Sequence, residues 1–105
     1  MEKEIIGGKQ TVYLEGEING NTGFSYKEKI SALFSNSAVI ILSFKDVVYL
    51  NSSGLREIID LLKLANKSKV ELRLCDMSKE IREMFSFTGL EKVFKIFDNL
   101  DKAAV

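Results

Sequence analysis

Five apolar residues run without a break from Ala38 to Leu42, and Val39, Ile40 and Ile41 among them are β-branched. A continuous run of this kind predicts a strand covered on both faces, which makes residues 38–43 central in their sheet. Further along, the period of the pattern changes. Val47-Val48-Tyr49-Leu50 is extended and apolar, Asn51-Ser52-Ser53 is polar, and apolar residues then recur at 55, 58, 59, 62 and 65 with Arg56, Glu57, Asp60 and Lys63 on the other side. That spacing is one face of a helix from about Ser53 to Lys67, with Leu55, Ile58, Ile59 and Leu62 turned to the sheet. Leu64 projects opposite this stripe, among Glu57, Asp60 and Lys67, and is expected to be exposed. Val70 to Leu74 is a second candidate strand, so strand, helix and strand have the spacing of a right-handed βαβ unit.

The flanking segments are shorter. Residues 3–6 and 11–15 read as strands separated by Gly7-Gly8-Lys9-Gln10, a hairpin turn by composition. Asn19-Gly20-Asn21-Thr22-Gly23 reads as a loop, followed by a helix from about Ser25 with Phe24, Ile30, Leu33 and Phe34 as its apolar contacts. Ser78 is a suitable cap for a helix running to Phe87, Gly89 can stop it in the left-handed conformation, and residues 93–97 form the last strand. Asn99 to Val105 makes a short terminal helix. Phe85, Phe87, Phe94 and Phe97 lie among apolar neighbours and are assigned to the core. Cys75, beside Leu72 and Leu74, is assigned there as a small apolar residue. The fold class is therefore α/β. Residues 1–105 make a single domain, with a mixed central sheet of four to five strands and about four packed helices.

Composition narrows the function more than it identifies it. The chain has 105 residues, of which 46% are hydrophobic and 29% charged, enough for one core of ordinary kind. Fifteen basic and fifteen acidic residues give no net charge, hence no electrostatic footprint for nucleic acid or an anionic membrane. No apolar run approaches the ~20 residues that span a bilayer, and Met1-Glu2-Lys3-Glu4 does not open a signal peptide, so a cytoplasmic protein is expected. The chain contains no histidine, which removes Ser-His-Asp, Cys-His and histidine-based metal sites. No catalytic residue, metal or cofactor is assigned, and an enzyme is not expected.

The candidate chemistry lies at the turn before the long helix. Asn51, Ser52 and Ser53 are all good N-cap types, able to accept from a first-turn amide that has no partner inside the helix. A hydroxyl at that end faces the positive pole of the helix dipole, a position suited to a phosphorylated serine. Tyr49-Leu50-Asn51-Ser52-Ser53-Gly54-Leu55 resembles the signature of STAS domains, the family of bacterial anti-sigma factor antagonists, whose turn usually reads Asp-Ser-Ser/Thr-Gly-Leu-Gly. Leu14 to Asn19 is similar to the family's Gly-Glu-Leu-Asp segment, and Ile81 to Leu90 with Val93-Phe94 is similar to its penultimate helix and Gly-Leu stop. Asn51 and Asn19 stand where the family commonly has aspartate, and Arg56 where a second glycine is common.

The resemblance implies regulated binding. An unphosphorylated chain would bind an anti-sigma factor with serine-kinase activity and free a sigma factor for transcription; phosphorylation of Ser52 would end the interaction, and a phosphatase would reset it. Asn19, Asn51, Ser52, Ser53, Gly54 and Leu55 would form the partner-binding region. Two alternatives stay open: a STAS scaffold or complex subunit that binds a protein partner without a serine switch, and a nucleotide-binding domain using the same helix terminus. The second lacks a lysine-bearing phosphate loop.

Overall fold

The computed structural model describes residues 2–6 and 9–105. Five strands, β1 (Glu2–Ile6), β2 (Lys9–Ile18), β3 (Val39–Leu50), β4 (Glu71–Cys75) and β5 (Lys95–Phe97), form one sheet in chain order. β1 pairs antiparallel with β2, and the remaining neighbours pair parallel. The sheet is therefore mixed. Gly7 and Gly8 of the expected hairpin turn lie outside the described residues, while the strands on either side pair from Ile6↔Lys9 onward.

Each parallel pair is joined by a helix: α1 (Gly20–Ser31), α2 (Ser52–Lys67) and α3 (Lys79–Phe87). Strands that advance in one direction through right-handed crossovers carry their helices on one face. The alternation of side chains agrees. Val12, Leu14, Ile40, Leu42, Phe44, Leu72 and Leu74 enter the main core with Ile30 of α1, Leu55, Ile58 and Leu61 of α2, and Ile81 and Phe85 of α3. Ile41 and Cys75 point to the opposite face, where Ala103 of the short helix α4 (Leu100–Ala103) covers them. Phe85 packs edge-on against both Phe44 and Phe94, at centroid distances of 6.5 and 5.4 Å.

Several expectations need correction. α1 starts five residues before Ser25, because Asn19 and Thr22 form a capping box that turns the polar 19–23 stretch into a first helical turn. Phe24 is about half exposed and lies under the ammonium of Lys27 rather than in the core. β3 runs well beyond residue 43 to Leu50, since β2 continues beside it in parallel to Ile18. The buried stripe of α2 is Gly54, Leu55, Ile58, Leu61 and Ala65, with Ile59 and Leu62 only partly buried. Phe87 is 89% exposed and is not a core residue, because two residues on from the buried Phe85 it lies about 200° around α3, on the side away from the sheet. Phe85 and Phe94 are buried as expected, Phe97 is half-buried against the small second cluster, and Leu64 is exposed.

Candidate functional site

The site begins with two strands that end together. Ile18 of β2 and Leu50 of β3 are register partners, and each strand is followed at once by an asparagine that caps a helix. Asn19 Oδ1 accepts from the amides of Asn21 and Thr22, both at 2.9 Å, while Thr22 Oγ1 accepts from Asn19 N at 2.9 Å and donates to Glu17 O at 2.8 Å. Asn51 Oδ1 accepts from Gly54 N at 2.8 Å, and Asn51 N donates to Ile18 O at 3.1 Å. Two helix N-termini therefore open side by side on one end of the sheet, and their positive poles point the same way.

Glycines make this proximity possible. A Cβ on Gly54 would stand 2.3 Å from Ile18 O, a Cβ on Gly23 would stand 3.0 Å from Glu57 Cβ, and a Cβ on Gly20 would stand 3.3 Å from Ser53 Cβ. α1 and α2 thus touch along their first turns, and Ser53 is the serine that borders α1. Ser52, the first residue of α2, is exposed. Lys27 fixes the pair one turn further on, its Nζ lying 2.8 Å from Glu57 Oε2 and 3.8 Å from Asp60 Oδ2. The hydrogen bond to Glu57 raises the Lys27 pKa above its ordinary value against the opposing effect of burial. Glu57 Oε2 is closed off from solvent with no further hydrogen bond among the described residues, so the ion pair is what compensates its burial.

The six residues singled out in the sequence occupy two layers of this arrangement. Asn19 and Asn51 are partly exposed, Ser52 and Ser53 are exposed, and Gly54 and Leu55 are buried beneath them. Glu57, assigned by periodicity to the solvent side of α2, instead packs on α1. Its signal was the small residue Gly23 on the facing helix, which gains meaning only once the two helices are known to be neighbours.

Chemically the site can bind and present, but it holds no catalytic constellation. The Ser52 hydroxyl has no hydrogen bond to a carboxylate or other base among the described residues, and no group of three or more metal-ligating side chains occurs among them. Ser52 N and Ser53 N, at the first two positions of α2, are not engaged by the Asn51 cap, which takes Gly54 N. No helix among the described residues is long and apolar enough to cross a membrane.

A family model described as the STAS domain matches residues 1–103. The chain is 29% identical over 101 residues to an anti-sigma F factor antagonist of Paenibacillus polymyxa, covering 94% of this chain and 86% of that one. It is 29% identical over 85 residues to an anti-sigma-B factor antagonist of Bacillus subtilis, covering 81% and 78% of the two chains. In fold it is similar to the crystal structure of an anti-sigma factor antagonist from Mycobacterium paratuberculosis, with a TM-score of 0.85, 23% identity, and coverage of 98% of this chain and 88% of that one.

Proposed function

The chain belongs to the STAS domain family, and we propose that it acts as an anti-sigma factor antagonist whose binding is switched at Ser52. In this reading the unphosphorylated chain docks on an anti-sigma factor with serine-kinase activity and frees a sigma factor for transcription. Phosphorylation of Ser52 by that kinase ends the contact, and a phosphatase restores it. The relatives are named for antagonism of an anti-sigma factor, which is a binding activity and not a catalysed reaction.

The observation that carries the reading is the exposure of Ser52 at the first position of α2, next to a second helix N-terminus and with neutral caps at both. Phosphate there would add about −1.5 to −2 charges and three acceptor oxygens, and the amides of the first turn can receive them without rearranging the helix. The fold survives modification. The partner face is Asn19, Asn51, Ser52 and Ser53, while Gly54 and Leu55 support it from below. A phosphate on that face adds bulk and a charge that must be desolvated, so release comes from lost complementarity. Ser53, also exposed, borders α1 at Gly20.

The test is intact-mass measurement after incubation with ATP and the anti-sigma kinases of the source cell, together with binding assays. Ser52→Ala should abolish labelling and retain binding, whereas Ser52→Asp should weaken binding without melting the domain. Labelling that persists in Ser52→Ala moves the acceptor elsewhere, with Ser53 the nearest candidate. Binding by an anti-sigma factor with no labelling of any variant would leave an unswitched scaffold.

A further inference from the structure

Beside the Ser52 turn, the distal end of β3 and helix α3 enclose a groove of about 310 Å³ whose lining includes Val48, Tyr49, Leu50, Glu80, Ile81 and Met84. Leu50 and Ile81 form its closed floor, at 2% and 4% exposure, while Val48 and Tyr49 stand out at 80% and 54%. A β-branched and an aromatic side chain so exposed, three and two residues from the cap of α2, are an apolar edge left uncovered by the described residues. One turn beyond Met84, Phe87 extends apolar surface along α3.

The flanks of the groove are acidic. Glu80 lines it, Glu83 is exposed on the next turn of α3, and Glu17 is the register partner of Tyr49 on the neighbouring strand. None of these three carboxylates takes part in an ion pair among the described residues. Of the two basic residues of α3, Arg82 pairs with Asp98 at 3.7 Å, which leaves Lys79 against Glu17, Glu80 and Glu83, a net −2 for these four residues. An apolar slot between unpaired carboxylates fits an apolar side chain carried between basic residues, because the slot removes apolar area from water while the flanks attract the cations.

We propose that this groove is a second docking point for the partner that covers Ser52, and that it receives a leucine- or isoleucine-like side chain from a basic segment of that partner. The inference rests on the reading of Ser52 as the partner-facing residue. It deepens that reading by dividing the interface in two. The Ser52 face carries the switch, while the groove supplies contacts that a phosphate on Ser52 does not touch and that discriminate partners by charge.

The test uses 15N-labelled chain titrated with the blocked peptide acetyl-Lys-Arg-Leu-Leu-Lys-Arg-amide and with its counterpart acetyl-Glu-Asp-Leu-Leu-Glu-Asp-amide. The basic peptide should shift amides at residues 48–50 and 78–84, and the acidic one should not. Glu17→Lys combined with Glu80→Gln should weaken the basic peptide about fivefold, the effect of losing two exposed ion pairs. Ser52→Asp should not weaken the basic peptide, since the added negative charge lies outside the groove and has the sign of its flanks. Equal responses to the two peptides, or shifts confined to other surfaces, overturn the groove. An anti-sigma kinase that binds in a Ser52-dependent manner but is indifferent to the Glu17 and Glu80 changes also overturns it, leaving the switch intact. Peptide capture at the groove with no anti-sigma factor binding to any Ser52 variant sinks the switch reading instead.

Discussion

Gly54 lies so close to Ile18 that a methyl group on its Cα would stand 2.3 Å from the Ile18 carbonyl oxygen and 2.6 Å from the carbonyl carbon. Both atoms belong to the backbone of β2, whose last residue also accepts from Asn51 N, so neither can move aside without opening the strand end. Gly54→Ala is therefore expected to cost about 1–3 kcal/mol, the usual range for forced overpacking. Urea unfolding measures it, and an unchanged midpoint would contradict the geometry. A bulky residue at 54 is for the same reason a poor probe of the partner surface, since it disturbs the fold first.

The rotation of α2 predicts an ordering among its apolar residues. Leu61 is 2% exposed within the main core, whereas Ile59 only borders it. Leu61→Ala should cost about 2–5 kcal/mol, and Ile59→Ala clearly less. Thermal melts of the two variants would reverse in order if the stripe read from periodicity alone were the buried one.

Asn51 is a working cap, so its replacements should separate stability from signalling. Asn51→Ala removes the acceptor for Gly54 N and is expected to cost about 0.5–2 kcal/mol. Asn51→Asp keeps the acceptor and adds a negative charge at a helix N-terminus, which should stabilise by about 0.3–1 kcal/mol. Under the Ser52 switch, Asn51→Asp should also be phosphorylated faster, because aspartate supplies a charge and a base that asparagine lacks. Parallel denaturation and labelling kinetics check both arms.

Glu71 sits between Lys95, whose Nζ is 2.9 Å from Oε1, and Arg73, which contacts Oε2. The bonds from Lys95 and then Arg73 hold its carboxyl below the ordinary value of 4.5. A depressed folded-state pKa gives stability that is present above the unfolded value and is lost as pH falls through the folded one. The stability difference between wild type and Glu71→Gln should thus be constant near neutrality and shrink below about pH 4.5. A difference that does not change with acid would show that the pair contributes nothing through ionisation.

Cys75 is fully enclosed, and its thiol is pushed up to about 12 by burial and then by Asp76, whose Oδ2 lies 3.4 Å from Sγ. Iodoacetamide should leave the folded protein unlabelled at pH 8 and modify it stoichiometrically in urea. Prompt native-state alkylation would mean that α4, through Ala103, does not seal this face.

The sequence by itself determined the elements whose signal is local. The β-branched run at 39–41, the helical spacing from Leu55 and the cap chemistry of Ser78 each act over a few residues, and each appears in the structure where the pattern puts it. The left-handed Gly89 after α3 belongs with them. The family signature around Ser52 was legible in the same way, as a contiguous string. Tertiary structure decided what depends on neighbours distant in the chain. Apolar residues at 55, 58, 59, 61, 62, 64 and 65 span too wide an arc for periodicity to choose the buried part, and Leu61 was taken in place of Ile59 and Leu62 because α1 covers that flank, where Tyr26 and Ile30 line one small cavity with Ile58 and Leu61. Asn19-Gly20-Asn21-Thr22-Gly23 reads as a loop from composition, since asparagine and glycine are weak helix formers. The Asn19–Thr22 capping box that makes it a helical turn acts over three residues; what the tertiary structure adds is the approach of α2 that the glycines allow. The same packing turned Glu57 inward to Lys27 and joined Asn19 to Asn51 on one face, a proximity fixed by the parallel register of Ile18 with Leu50.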